Sequence, residues 1–220
     1  MHQTSSFALT LHRSGRTNRK SFCSIVQFFW PNRVIMANKP IRDWVYLAII
    51  GLQLTGMLVL DLVAFYPKPL WEPAGAPLHF LVGLRRRYVA STGDPFFSAS
   101  SSSAAVHSSA PWFEAFLYVE GFVQFPLAAF LVSRLAAARR IGGAAELAGL
   151  AFGCLTFMGS VACCYELLHM GPEQVAAEKK TRLLYGTYLP FVVIPAVLAV
   201  DMFLRLLPRV QDTGTKDKDE

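Results

Sequence analysis

Pro111 to Pro126 reads P-W-F-E-A-F-L-Y-V-E-G-F-V-Q-F-P. Glu120 and Gln124 interrupt an aromatic and aliphatic run that continues to about Val132. At about 1.5 Å per residue, a helix of that length crosses the hydrocarbon core of a bilayer, about 30 Å thick. Residues four apart share a helix face, so Glu120 and Gln124 point the same way. An acid at that depth is costly unless it faces protein, water or a bound molecule. The stretch therefore predicts a membrane span with a polar site inside it, and the other apolar segments must supply what Glu120 faces.

Three further segments are long and apolar enough to join it: Trp44 to Tyr66, about Ala145 to Leu168, and about Leu183 to Leu206. The expected fold is all-α, a polytopic membrane protein whose four transmembrane helices form a bundle with a long first non-cytosolic loop. Composition agrees, because 53% of residues are hydrophobic and only 16% charged, which suits neither a disordered chain nor an ordinary soluble domain. The formal charge of +6 is concentrated: residues 1–42 hold seven Lys or Arg and no acid, while the remaining 178 residues hold 14 basic and 15 acidic groups. A nearly neutral main body gives no basic surface for nucleic acid, and none is expected as a partner. The four cysteines show no C-x-x-C or Cys/His spacing, so neither a metal site nor a disulfide framework is assigned, and no cofactor is expected. Cys154, Cys163 and Cys164 are read as buried structural thiols.

Residues 1–40 form a basic extension, rich in Ser and Arg and expected to be disordered; it resembles a mitochondrial presequence, and Met36 offers an alternative start to Met1. The membrane domain is placed at residues 41–206 and a polar tail at 207–220. Asp61 is the one charge in the first span, five residues before its far end. In the connection 67–110, Pro77 to Tyr88 sets Leu78, Phe80, Leu81, Val82 and Leu84 against Arg85, Arg86 and Arg87, predicting a short helix lying along the membrane surface. Thr92-Gly93-Asp94-Pro95 reads as a turn, and the serine-rich run Ser98 to Ser109 as a flexible insert. Pro126 removes a backbone donor from the second span and predicts a kink or a local opening. Gly149, Gly153 and Gly159 lie among alanines in the third span, which permits close helix contact. Glu146, Glu166 and Asp201 read as boundary or helix-contact groups, and His169 as an interfacial one.

With four spans, both termini and the connection between the second and third spans lie on one side. That side carries fourteen of the basic residues and the other seven, so the positive-inside rule places both termini in the cytosol. Depths then follow. Asp61 sits about 9 Å inside the non-cytosolic end of its span, Glu120 about 12 Å inside its own, and Tyr188 to Phe191 about 8 to 12 Å inside theirs. Three helices thus offer polar or aromatic groups at one level, and a shared polar pocket accounts for all of them. Two adjacent carboxyl groups there would hold a proton between them and keep about one negative charge.

Several segments taken together carry a resemblance: D-L-V-A-F-Y-P from Asp61, G-D-P around Asp94, the second-span run already quoted, and Y-L-P-F-V-V-I-P from Tyr188. Over residues 41 to 206 the chain resembles the EXPERA superfamily, in the branch of the sigma-two receptor and the fungal efficient mitochondria targeting-associated proteins. The resemblance implies a four-helix protein of the endoplasmic reticulum membrane, able to form a homodimer. It also implies a pocket for sterol-like or cationic amphiphilic small molecules, with membrane lipids as its other partners. Carried onto this sequence, Asp61 would face a ligand cation with Glu120 as its hydrogen-bonding neighbour, Gln124 would order the polar network, and Tyr188 and Phe191 would line the pocket. Asp94 would fix the loop through helix capping. Phe191 stands where the receptor has a second Tyr. Lys216 and Lys218 near the end resemble a dilysine retrieval signal.

The function so implied is a receptor or regulator in sterol handling or precursor-protein quality control, without catalysis. Two alternatives differ in class. A sterol delta-isomerase would use Asp61 and Glu120 as proton donor and acceptor, although that branch's wider set of intramembrane His, Glu and Trp groups is not found here. A structural assembly factor would use its acids only to specify helix packing.

Overall fold

The computed structural model describes residues 39–98, 111–137 and 139–216, with backbone alone at residues 98 and 212–216. Most of the basic extension, with Cys23 and Met36, nearly all of the serine-rich insert, and Lys218 lie outside the described residues. Among the described residues, four helical segments are long and apolar enough to cross a membrane: Ile41–Phe65, Pro111–Ala136, Gly143–His169 and Ala177–Gln211. No strand occurs among the described residues. Each span carries exposed apolar side chains along its outside, such as Leu52, Phe122, Phe157 and Val200, the pattern of helices solvated by lipid.

The first span begins as α1 (Ile41–Gly56), widens into a π-helical turn at Met57–Asp61 and tightens into a 3-10 segment at Leu62–Phe65. The phenol of Tyr66 donates to the carbonyl of Leu58 at 2.7 Å, an extra tie across this irregular end. The connecting loop holds α2 (Phe80–Thr92) and α3 (Pro95–Ser98). Gly93 ends α2 with φ at +67°, a left-handed conformation that a side chain would strain, and its N–H returns to the Val89 carbonyl at 2.8 Å.

The second span consists of α4 (Pro111–Val119), a π-helical turn at Glu120–Gln124 and α5 (Phe125–Ala136). The third is one helix, α6 (Gly143–His169), and the fourth is α7 (Ala177–Leu183), a π-helical turn at Leu184–Tyr188 and α8 (Leu189–Lys216). Pro126 and Pro190 each follow a π turn by two residues. A proline cannot donate to the carbonyl four residues back, and the missing donor costs least where i→i−4 bonding has already given way. The local opening expected at Pro126 takes this form.

The fourth helical segment begins at Ala177, earlier than the expected Leu183, because Ala177–Leu183 is rich in good helix formers whose polarity hides them from a hydropathy reading. It also continues past Leu206, where Arg205 and Arg209 are held by acids of neighbouring spans. The loop helix occupies Phe80–Thr92 rather than Pro77 to Tyr88 and packs against the Met57–Asp61 turn and α7. Cys163 is buried, but Cys154 is exposed on the outside of α6 and Cys164 only half-buried, so the reading of all three as buried thiols holds for one.

Spans three and four pack closely, through the small-residue seam. A methyl group on Gly153 would come within 2.9 Å of the Pro195 carbonyl oxygen and 3.0 Å of the Ala199 nitrogen. Only glycine admits the fourth backbone so near. One apolar cluster, including Ile50, Met57, Leu131, Phe152 and Met202, joins all four spans; a second gathers Phe96, Phe97, Phe113, Leu167 and Leu183 beneath the loop. At the end opposite the loop, charged groups lace the spans together. Arg205 Nη1 lies 2.6 Å from the wholly buried Asp43 Oδ1, Arg205 Nη2 is 2.6 Å from Asp201 Oδ2, and Arg42 Nη1 is 2.9 Å from Asp201 Oδ1. Arg209 grips Glu146 through Nε at 2.7 Å and Nη2 at 3.0 Å.

Candidate functional site

The three π turns meet around one cavity of about 630 Å³. Val59, Leu60 and Asp61 line it from the first, Glu120 and Gln124 from the second, and Thr187 and Tyr188 from the third. The uninterrupted α6 contributes Thr156, Gly159, Ser160 and Cys163, and the loop contributes Tyr88 and Phe97. Exposed Leu52 and Thr55 on the first span and Phe191 and Ile194 on the fourth stand at its edge, on the side that lipid would cover. A largely apolar chamber with a few converging polar groups is the form that small-molecule sites take.

Asp61 and Glu120 come together there, their carboxyl groups within hydrogen-bonding reach of one another. Two carboxyl groups this close in an apolar site do not both ionise, so one of them keeps a proton. The pair then carries a single negative charge. Gln124 is buried beside them, and its Oε1 accepts a hydrogen bond from Thr156 Oγ1 at 3.0 Å, which fixes the amide against the third span.

Asp94 occupies the floor of the loop rather than the cavity. Its Oδ1 accepts the Phe96 N–H at 3.0 Å at the start of α3, and its Oδ2 accepts the hydroxyls of Tyr88 and Tyr188, both at 2.8 Å. Through Tyr188 it clamps the loop to the fourth span. Burial pushes the Asp94 carboxyl above the usual range, and these donors pull the other way. Burial and the neighbouring Asp94 push the Tyr88 phenol up as well.

Tyr188 thus combines a ring on the cavity wall with a hydroxyl committed to Asp94. Phe191 reaches the cavity from its exposed edge. Lys216 is the last residue of α8, away from all of this. Sequence reasoning missed Thr156, which looked like one more small residue of the α6 seam, and Tyr88, which looked like part of a surface helix. Helix phase could have found Tyr88: it follows the buried Leu81 at i+7, on the face of α2 that turns inward.

Among families of known proteins, the EXPERA (EXPanded EBP superfamily) description matches residues 80–202, from the loop helix through most of the fourth span. The chain belongs to the EXPERA superfamily. It is also similar to a Schizosaccharomyces pombe protein named Efficient mitochondria targeting-associated protein 19, at 31% identity over 143 residues, which cover 65% of this chain and 68% of that relative. No solved structure matches the chain. The EXPERA match takes in Glu120, Gln124, Asp94 and Tyr188, whereas Asp61 lies before its start.

Proposed function

We propose that this EXPERA protein is a binding protein of the endoplasmic reticulum membrane, with both termini in the cytosol, which holds a sterol-like or cationic amphiphilic molecule between its spans. One observation carries the reading. Two acids from different spans stand side by side on the wall of an apolar cavity of about 630 Å³, large enough for such a molecule. A purely structural pair would be expected in a closed contact between helices, without open volume beside it. The exposed cavity edge between the first and fourth spans supports delivery of the molecule from the bilayer. Occupancy would be relayed to partners in sterol handling or in the quality control of precursor proteins; the fission yeast relative is named for an association with mitochondria targeting.

The test is saturable binding of a radiolabelled sterol and a radiolabelled cationic amphiphile to membranes containing the protein. Asp61→Asn and Glu120→Gln should each weaken binding by at least about tenfold, the loss of one hydrogen bond to a charged group, while the protein still accumulates. Undiminished binding in both variants overturns the proposal.

A further inference from the structure

The two ends of the bundle handle charge differently. At the loop end, residues 66–94, 111–114 and 166–182 hold seven Lys or Arg against six acids, and Glu72, Glu173 and Glu178 stand exposed beside the cations. At the opposite end, residues 39–43, 134–146 and 201–211 hold seven Lys or Arg and three acids. Those three acids are drawn inward. Asp43 and Glu146 are buried and Asp201 is half-buried, and each is held by arginine: Asp43 by Arg205, Glu146 by Arg209, and Asp201 by Arg205 and Arg42. The negative charge of this end is therefore cancelled beneath the surface, and what the end displays is cationic. Arg134, Arg139 and Arg140 are exposed, and Arg42 and Arg209 keep more than half of their side chains exposed while gripping their acids.

The depth of these cations follows from what they touch. Lys39 Nζ lies 4.4 Å from the centroid of the Trp44 ring, and the Arg134 guanidinium carbon lies 5.1 Å from that of Phe130. Both rings belong to spans, so the cations sit where a span gives way to headgroups, the level that long basic side chains and aromatic rings favour. Lys39 also donates to the Ala137 carbonyl at 3.4 Å, which brings the start of the first span against the connection that bears Arg139 and Arg140. A bias that served only to orient the chain would need Lys and Arg on this side and would take little account of acids. Burying and pairing all three acids goes further, and leaves a surface fitted to anions. At headgroup depth the anions within reach are those of lipids.

We propose that the end of the bundle opposite the loop is a binding surface for anionic phospholipid headgroups, with Arg134, Arg139 and Arg140 as its principal contacts. It gathers such lipids around that end whether or not the cavity is filled, so it stands apart from the reading of the cavity.

Spin-labelled lipids test it. Full-length protein is placed in phosphatidylcholine vesicles with labelled phosphatidylserine or labelled phosphatidylcholine, and the motionally restricted fraction in the electron paramagnetic resonance spectrum gives the relative association constant. At low salt the wild type should favour phosphatidylserine at least about threefold, and about 0.5 M salt should reduce that preference. Arg134→Gln/Arg139→Gln/Arg140→Gln should bring the ratio close to one, whereas the same three positions changed to Lys should keep it, because the charge is kept. Arg139→Gln/Arg140→Gln, confined to the connection, should lower the ratio part of the way and tests the same surface if the triple variant fails to fold. Arg86→Gln/Arg87→Gln, at the loop end, should leave it unchanged. Inorganic phosphate added at matched ionic strength should also leave it unchanged; a preference erased by phosphate would assign the surface to the free anion and overturn the proposal. A wild-type ratio near one, as when another segment of the chain covers the surface, overturns it too, as does a preference that survives both glutamine variants or falls equally with Arg86→Gln/Arg87→Gln.

Discussion

Asp94 gathers three donors around one buried carboxyl group, and its surroundings make a pH-dependent contribution to stability. Burial raises its pKa on folding, so between the ordinary carboxylate range and the raised value the folded chain binds more protons than the unfolded one. Its contribution is complete below that range and declines as pH rises through the raised value. Asp94→Asn keeps a cap oxygen for the Phe96 N–H and cannot ionise. Thermal unfolding in nanodiscs between pH 4 and pH 7 should therefore show a shallower decline with pH for Asp94→Asn than for the wild type. At Gly153 the constraint is steric. Gly153→Ala should cost about 1–3 kcal/mol, because the new methyl meets backbone atoms that cannot rotate away. The same unfolding experiment reads it as a lowered midpoint. Both residues were legible in the sequence in different degrees: Gly153 stood in a visible row of small residues, and Asp94 in a turn motif. The tyrosines that bond Asp94 were not, since they come from elements 94 residues apart in the case of Tyr188.

Among the helices, the four spans could be read directly, because hydropathy over a bilayer-length window is a strong and local signal. Their interruptions could not. Nothing in the composition of Met57–Asp61 distinguishes a π turn from an α turn, and only the prolines at 126 and 190 gave a hint for the other two. The buried ion pair was equally hidden, since Asp43 follows Arg42 at the start of a span and looks like an interfacial charge. Its worth can be tested by breaking it in two ways. Arg205→Ala strands the wholly buried Asp43 carboxylate and should cost about 3–5 kcal/mol. Replacing both partners with leucine removes the stranded charge along with its mate and should restore most of that loss. Equal damage from the single and double variants would mean that the pair acts through something other than its charge.

For the whole molecule, among the described residues, four crossings put the start of the first span and the end of the fourth on one face and the loop bearing α2 on the other. With the proposed orientation, an N-glycosylation acceptor introduced at Gly75 should be modified and one appended after residue 220 should not, as read from glycosidase-sensitive mobility shifts. The reverse pattern would invert the topology. The π turns have a broader implication for how such a chamber arises. Each is an interval of backbone wound more loosely than its flanks, so its presence depends on how many residues the span contains and only loosely on which ones. Deleting one residue within Met57–Asp61 would let α geometry close over the gap and swing everything beyond it by roughly 100° about the helix axis, carrying Asp61 away from Glu120. A scan that exchanges one amino acid for another would pass over this dependence, whereas single-codon deletions would expose it. In a lineage of such bundles, gain or loss of a codon is thus a route by which an internal chamber can open or vanish in one step.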